Sequence, residues 1–313
     1  MGCCRVTDTK VLGPLLLRRL RIEAGQPLRY FLSDPESEPE LSVELSAMLG
    51  CHVRLRHTGV IRCQACGNST RKSYSQGHCY PCFKRLASCD LCVMAPHRCH
   101  YDKGTCRDPD WGESFCMQPH LVYLANSSGL KVGITRDGQQ FGRWRDQGAL
   151  QGRLLARAAT RKAAGELEVQ LAKEFGDRSQ WRALVSGNAD LLDLDVAARQ
   201  ARALVPDPGP GIDYVDVAPR TDEEEAADTA DTATHEFRYP VSQWPPVERL
   251  NFKVRDEING VLTGIKGQYL LFDTGVFNVR EHTGYEVVVT LSQDKAPNMR
   301  GPVAKSTQQI DLF

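Results

Sequence analysis

The run His120-Leu-Val-Tyr-Leu-Ala125, Asn126-Ser-Ser-Gly129, Leu130-Lys-Val-Gly-Ile-Thr135 decides how the middle of this chain folds. Two apolar stretches flank four residues that favour tight turns, so the sequence predicts a β-hairpin. Arg143-Trp144-Arg145 follows on an expected short helix, and Arg153–Thr160 has strand character. Over Arg161–Phe175 the apolar residues Leu167, Leu171 and Phe175 recur at i, i+4 and i+8, the buried stripe of an amphipathic helix. Glu168 stands one residue off that stripe, at the rim of the expected helix–sheet contact. These elements predict a small α/β unit over residues 120–205.

Immediately upstream the chain changes chemistry. Nine of its twelve cysteines fall between Cys63 and Cys116. Cys63-Gln-Ala-Cys66 and Cys79-Tyr-Pro-Cys82 are two Cys-x2-Cys pairs separated by twelve residues. Each pair can present two thiolates, and together they make the four soft ligands that tetrahedral zinc takes. Gly67 directly after the first pair suits a tight knuckle. Redox dithiols are the rival reading of the same spacing. Cys92, Cys99, Cys106 and Cys116 are the preferred set for a second zinc. Cys89, His100 and His120 are further candidates, and a cross-braced arrangement using Cys89 and Cys92 stays open. One or two structural zinc ions are therefore expected, since a closed four-Cys site leaves no position for substrate.

The remaining organisation follows from punctuation and charge. The first thirty residues carry scattered arginines and no apolar core segment, so no secretory signal is predicted, and the longest apolar runs, such as Leu15–Leu17, are far too short for a membrane span. A cytoplasmic protein is expected, in which clustered cysteines serve as metal ligands before disulfides. Net charge is zero, yet residues 51–120 hold ten Lys and Arg against five Asp and Glu, and residues 121–190 hold eleven against seven. A basic middle favours a nucleic-acid partner over a membrane.

The fold class expected is α+β multidomain. Residues 1–60 form a β-rich segment with strands near Val11–Leu17 and Leu28–Leu32 and a helix near Glu40–Leu49, and residues 61–119 a zinc ribbon-like segment. After the α/β unit, residues 206–235 read as a Pro/Gly and acidic linker, with Glu223–Glu225 at its most acidic point. Residues 236–313 form a second β-rich domain, with Lys266, Tyr269 and Arg280 as a candidate contact surface. Gly50–Ile61 and Gly267–Phe277 echo each other as strand, Thr-Gly turn and strand. That echo is either coincidence between hairpins or a sign that both ends of the chain meet in one β domain.

The order Leu-Val-Tyr123, Lys131-Val-Gly133-Ile-Thr, Arg143 and Glu168 on a helix resembles the GIY-YIG nuclease superfamily, over roughly residues 120–185. It is closest to short members with Lys-Ile-Gly in place of Tyr-Ile-Gly. The whole chain also resembles an uncharacterised bacterial family that pairs a Cys-rich head with this core and a Gly-Ile-Lys-Gly-Gln-Tyr-Leu tail. The nuclease resemblance implies that Tyr123 helps activate water, Arg143 binds the scissile phosphate and Glu168 holds one Mg²⁺ or Mn²⁺. The first motif's glycine is here Leu121, and the second motif's tyrosine is Lys131, which can contact phosphate but is no phenol relay. Three functions are compatible with these residues: a divalent-metal-dependent endonuclease acting on DNA or RNA, a non-catalytic zinc nucleic-acid-binding module, and a zinc-knuckle scaffold for a protein partner.

Overall fold

The computed structural model describes residues 9–32, 42–176, 180–215 and 233–292. The chain is mixed α/β, with three sheets and short helices. It opens with β1 (Lys10–Leu16), β2 (Arg21–Glu23), β3 (Arg29–Leu32), β4 (Val43–Glu44) and β5 (His52–Ile61). The Cys-rich segment carries the helices α1 (Tyr80–Arg85), α2 (Leu91–Met94) and α3 (Pro109–Phe115). Then come β6 (His120–Asn126), β7 (Leu130–Arg136), α4 (Gln140–Asp146), β8 (Gln151–Ala158), α5 (Arg161–Phe175), α6 (Trp181–Leu184), α7 (Leu194–Leu204) and β9 (Ile212–Tyr214). The last part holds β10 (His235–Glu236), β11 (Arg249–Leu250), β12 (Glu257–Lys266), β13 (Tyr269–Phe272), β14 (Gly275–Asn278) and β15 (Tyr285–Ser292).

The central hairpin forms as its turn residues require, with His120 opposite Arg136 and Asn126 opposite Leu130. β6 also pairs with β8, so it lies inside its sheet. All seven of its residues are buried, because both of its faces are covered. Val122 and Leu124 face Ala164, Leu167 and Leu171 of α5 and Ala197, Ala198 and Ala201 of α7. Leu121, Tyr123 and Ala125 enter a larger core with Trp144 and the apolar side of another sheet. α5 runs over the residues its periodicity predicts. Thr160 caps it by accepting a hydrogen bond from Ala163 N at 3.2 Å, which satisfies one of the orphan first-turn donors.

That other sheet has seven strands in the order β1-β15-β5-β12-β13-β14-β11. Strands from the first sixty residues and from the last eighty therefore share one ladder: both ends of the chain meet in one sheet, in place of two separate β units. β15 pairs antiparallel with both β1 and β5. The echo between its two halves fails in detail, since residues 52–61 make one continuous strand and only β13 and β14 make a hairpin. The helix expected near Glu40–Leu49 is a single 3-10 turn over Leu45–Met48, with its first two residues outside the described ones. Most of the expected linker, including Glu223–Glu225, also lies outside the described residues.

The seven-stranded sheet docks on the central unit through the turn between β12 and β13. Gly267, at φ +58°, brings this turn against the end of α4, where a Cβ would sit 2.9 Å from Gly148 N and 3.0 Å from Asp146 O. Gln268 then donates to Asp146 Oδ1 at 2.9 Å and accepts from Leu20 N at 2.7 Å. One buried amide thus ties together the N-terminal segment, α4 and the C-terminal hairpin.

Candidate metal centre and basic cleft

Cys63 and Cys66 follow β5 on a knuckle closed by Gly67 N donating to Cys63 O at 2.8 Å, with Gly67 in the left-handed region at φ +72°. Cys79 caps α1 and Cys82 sits in its first turn. Ligand atoms of these four residues all lie within 4.8 Å of one another, and Cys66 Sγ is 3.8 Å from Cys79 Sγ. A tetrahedron with Zn–S bonds of about 2.3 Å has edges of about 3.8 Å, so the four sulfurs are spaced for zinc. Burial works against ionising Cys63, but backbone N–H groups of Cys79, Ala65 and Cys66 bring its thiol down to about 6. Cys82 is pushed up to about 12, first by the neighbouring Cys79 thiol and then by burial. Four thiols this close ionise together only around a cation, and the site is built to hold one.

Cys92, Cys99, Cys106 and Cys116 wall one nearly closed hole of about 10 Å³, together with Asp90 and His100. The three ligand groups drawn within 4.8 Å of each other there are Asp90, Cys92 and His100. Asp90 is also engaged by Arg107 at 2.6 Å. Cys89 belongs to neither cluster.

A cleft of about 580 Å³ opens where the three parts of the chain meet. Arg143 from α4, Glu168 from α5 and Arg136 from the end of β7 line it. Arg19, between β1 and β2, and Arg280, between β14 and β15, reach it from the seven-stranded sheet. Arg161 at the start of α5 donates to Cys92 O at 2.8 Å and also bonds Val93 O. That anchors the Cys-rich segment on α5 and brings Val93, Met94, Pro96 and Phe115 into the cleft lining.

Five arginines and two carboxylates, Asp146 and Glu168, line this cleft. Asp146 is held by Arg19 at 2.9 Å and by Gln268. Burial pulls the Arg280 pKa down to about 10, and the nearby charges of Arg19 and Arg143 push the same way. It remains cationic at neutral pH, and with Arg143 it gives this side of the cleft positive charge beyond what Asp146 offsets.

Tyr123 lies behind the cleft wall. It is 0% exposed, and its hydroxyl donates to Gln147 Oε1 at 3.0 Å. Lys131 is also buried and donates to the same oxygen at 2.9 Å. Burial raises the Tyr123 pKa, while the charges of Arg143 and Glu168, both close enough to act on the hydroxyl, oppose each other. Gly133, opposite Tyr123 across the hairpin, makes room for the phenol: a Cβ there would lie 2.6 Å from its Oη. Of the four residues singled out beforehand, Arg143 and Glu168 line the cleft, and Tyr123 and Lys131 converge beneath it on Gln147. Lys266, expected on a contact surface, is buried against Tyr239 and Trp244, each ring 5.6 Å from Nζ. Arg19, Arg161 and Gln147 went unread, because no local pattern relates them to Arg143.

The structure thus presents a four-cysteine site spaced for zinc and an arginine-lined cleft. No helix among the described residues is long and apolar enough to cross a membrane. Residues 50–287 match the family described as protein of unknown function DUF2797, and the chain belongs to that family. No curated protein and no solved structure matches it significantly.

Proposed function

We propose that this protein processes nucleic acid in the cytoplasm, binding the phosphodiester backbone in the arginine cleft and cleaving it with a divalent metal. The observation that carries the reading is that Arg19, Arg136, Arg143, Arg161 and Arg280, from separate segments, line one cleft together with Glu168. Guanidinium forks suit phosphate oxygens bidentately and stabilise charge that develops on them. The order of hairpin, Arg143 and Glu168 is that of the GIY-YIG superfamily, which supports cleavage as the chemistry. Mg²⁺ takes one or two carboxylates and completes its shell with water and substrate phosphate, so the Glu168 carboxylate on the cleft wall would supply one of its ligands. Bound there, the ion supplies Lewis-acid polarisation of the phosphoryl oxygen. Arg143 holds the phosphate, and Gln147, oriented by Tyr123 and Lys131, supports the α4 side of the site.

We assign structural zinc to Cys63, Cys66, Cys79 and Cys82, and a second zinc to the hole walled by Cys92, Cys99, Cys106 and Cys116, where Cys92, Asp90 and His100 stand within ligand distance of one another. A second functional reading, a nucleic-acid-binding module without catalysis, is favoured by the complete burial of Tyr123, which keeps its phenol from direct contact with substrate. The test is cleavage of labelled single- and double-stranded DNA and RNA by zinc-loaded protein with Mg²⁺ or Mn²⁺, against Glu168→Gln. Cleavage lost in the variant with binding kept supports the nuclease. Binding without cleavage by either protein leaves the binding module.

A further inference from the structure

The lining of the cleft mixes two chemistries. Alongside the arginines it carries the apolar residues Val93, Met94, Pro96 and Phe115. Pro96 is buried against α5, but Met94 is 82% exposed and its helix neighbour Leu91 70%. Duplex nucleic acid shows a protein mainly phosphates, with its base faces stacked inside, so a site that read only a duplex backbone would have no use for such an apolar lining. Unpaired nucleotides present an anionic phosphate and an apolar base face together.

A stacked column sharpens the match. Trp111 and Phe115 lie face to face with centroids 4.4 Å apart, and the Arg136 guanidinium sits over Phe115 at 4.7 Å. Arg136 also lines the cleft. A guanidinium plane accepts a nucleobase in a stack, so the column is open to extension by one base. The cleft's volume of about 580 Å³ falls in the range that encloses a small-molecule-sized ligand, which suits one or two nucleotides.

We propose that the cleft takes an unpaired nucleotide of a nucleic-acid strand, its phosphate against Arg143 and Arg280 and its base against Met94 and the Arg136–Phe115 stack. This rests on the reading that the cleft binds nucleic acid, and it adds the substrate class: single strands, strand ends or bases out of the duplex.

The test is fluorescence anisotropy with full-length zinc-loaded protein, no added Mg²⁺, and labelled oligonucleotides of equal length: a single strand, its duplex, and the duplex with one bulged nucleotide. The single strand and the bulged duplex are expected to bind about ten-fold or more tightly than the plain duplex, the range that stacking of one base supplies. Met94→Glu, at an exposed position, is expected to remove most of that preference with zinc content and circular dichroism unchanged. Arg143→Gln is expected to weaken all three complexes. Equal binding of duplex and single strand, with Arg143→Gln still weakening both, overturns the inference and leaves the nucleic-acid reading standing. A single-strand preference untouched by Met94→Glu also overturns it. No binding of any oligonucleotide overturns both.

Discussion

Replacing Gly133 by alanine tests how the floor of the cleft is built. The new Cβ would lie 2.6 Å from Tyr123 Oη and 2.7 Å from Cζ, distances that real contacts do not reach. Tyr123 is fully buried beside Trp144, with ring centroids 5.9 Å apart, so the phenol has little room to move away. Overpacking of this kind costs about 1–3 kcal/mol. Pushing the hydroxyl off Gln147 Oε1 costs about 1 kcal/mol more. Gly133→Ala is therefore expected to destabilise by about 2–4 kcal/mol. Tyr123→Ala alone is expected to cost about 3–5 kcal/mol through the cavity it leaves. In the double variant the methyl has no phenol to meet, so the total should stay near that of Tyr123→Ala. Urea denaturation of the zinc-loaded proteins, followed by far-ultraviolet circular dichroism, measures all four corners of the cycle. Losses that add within about 0.5 kcal/mol would refute the claim that Gly133 is required by the Tyr123 ring.

Two further outcomes are expected. Cys79→Ser should lower the zinc bound per chain by one, read by elemental analysis, and open residues 63–86 to limited proteolysis; unchanged zinc would place the ion elsewhere. Lys266→Met should be more stable than the parent at pH 7, by about 1–3 kcal/mol, because burial lowers the lysine's pKa to about 8. Above that value the unfolded chain still holds a proton that the folded chain has lost, so parent stability rises with pH and the gap should narrow towards pH 10.5 in denaturation at stepped pH.

Local chemistry made some of this fold readable. The Asn-Ser-Ser-Gly turn set the register of β6 and β7, and the Leu167–Leu171 stripe marked α5. Cys63, Cys66, Cys79 and Cys82 announced themselves by spacing, since a knuckle is closed within a few residues. Arg143 and Glu168 were singled out through the resemblance of the motif order to the GIY-YIG superfamily, and both line the cleft. Pairings across more than two hundred residues, such as Val11 with Thr290 or Leu55 with Val289, leave no local trace. Arg19 and Arg280 joined the cleft only through those pairings and the bridge made by Gln268. The burial of Tyr123 was equally hidden, because an apolar run cannot say whether a second sheet will cover its other face.

The place of β15 between β1 and β5 bears on how the chain is made. The ribosome releases β1 and β5 long before residues 285–292, so these strands wait with unfilled ladder positions while the intervening segments emerge. The Cys-rich segment and the central hairpin, whose contacts are nearer in sequence, can organise first, and the last strand then closes the seven-stranded sheet in one late step. A nascent or prematurely terminated chain lacking residues 285–292 would keep two open, apolar strand edges, the form of incomplete protein that aggregates or is taken up by chaperones.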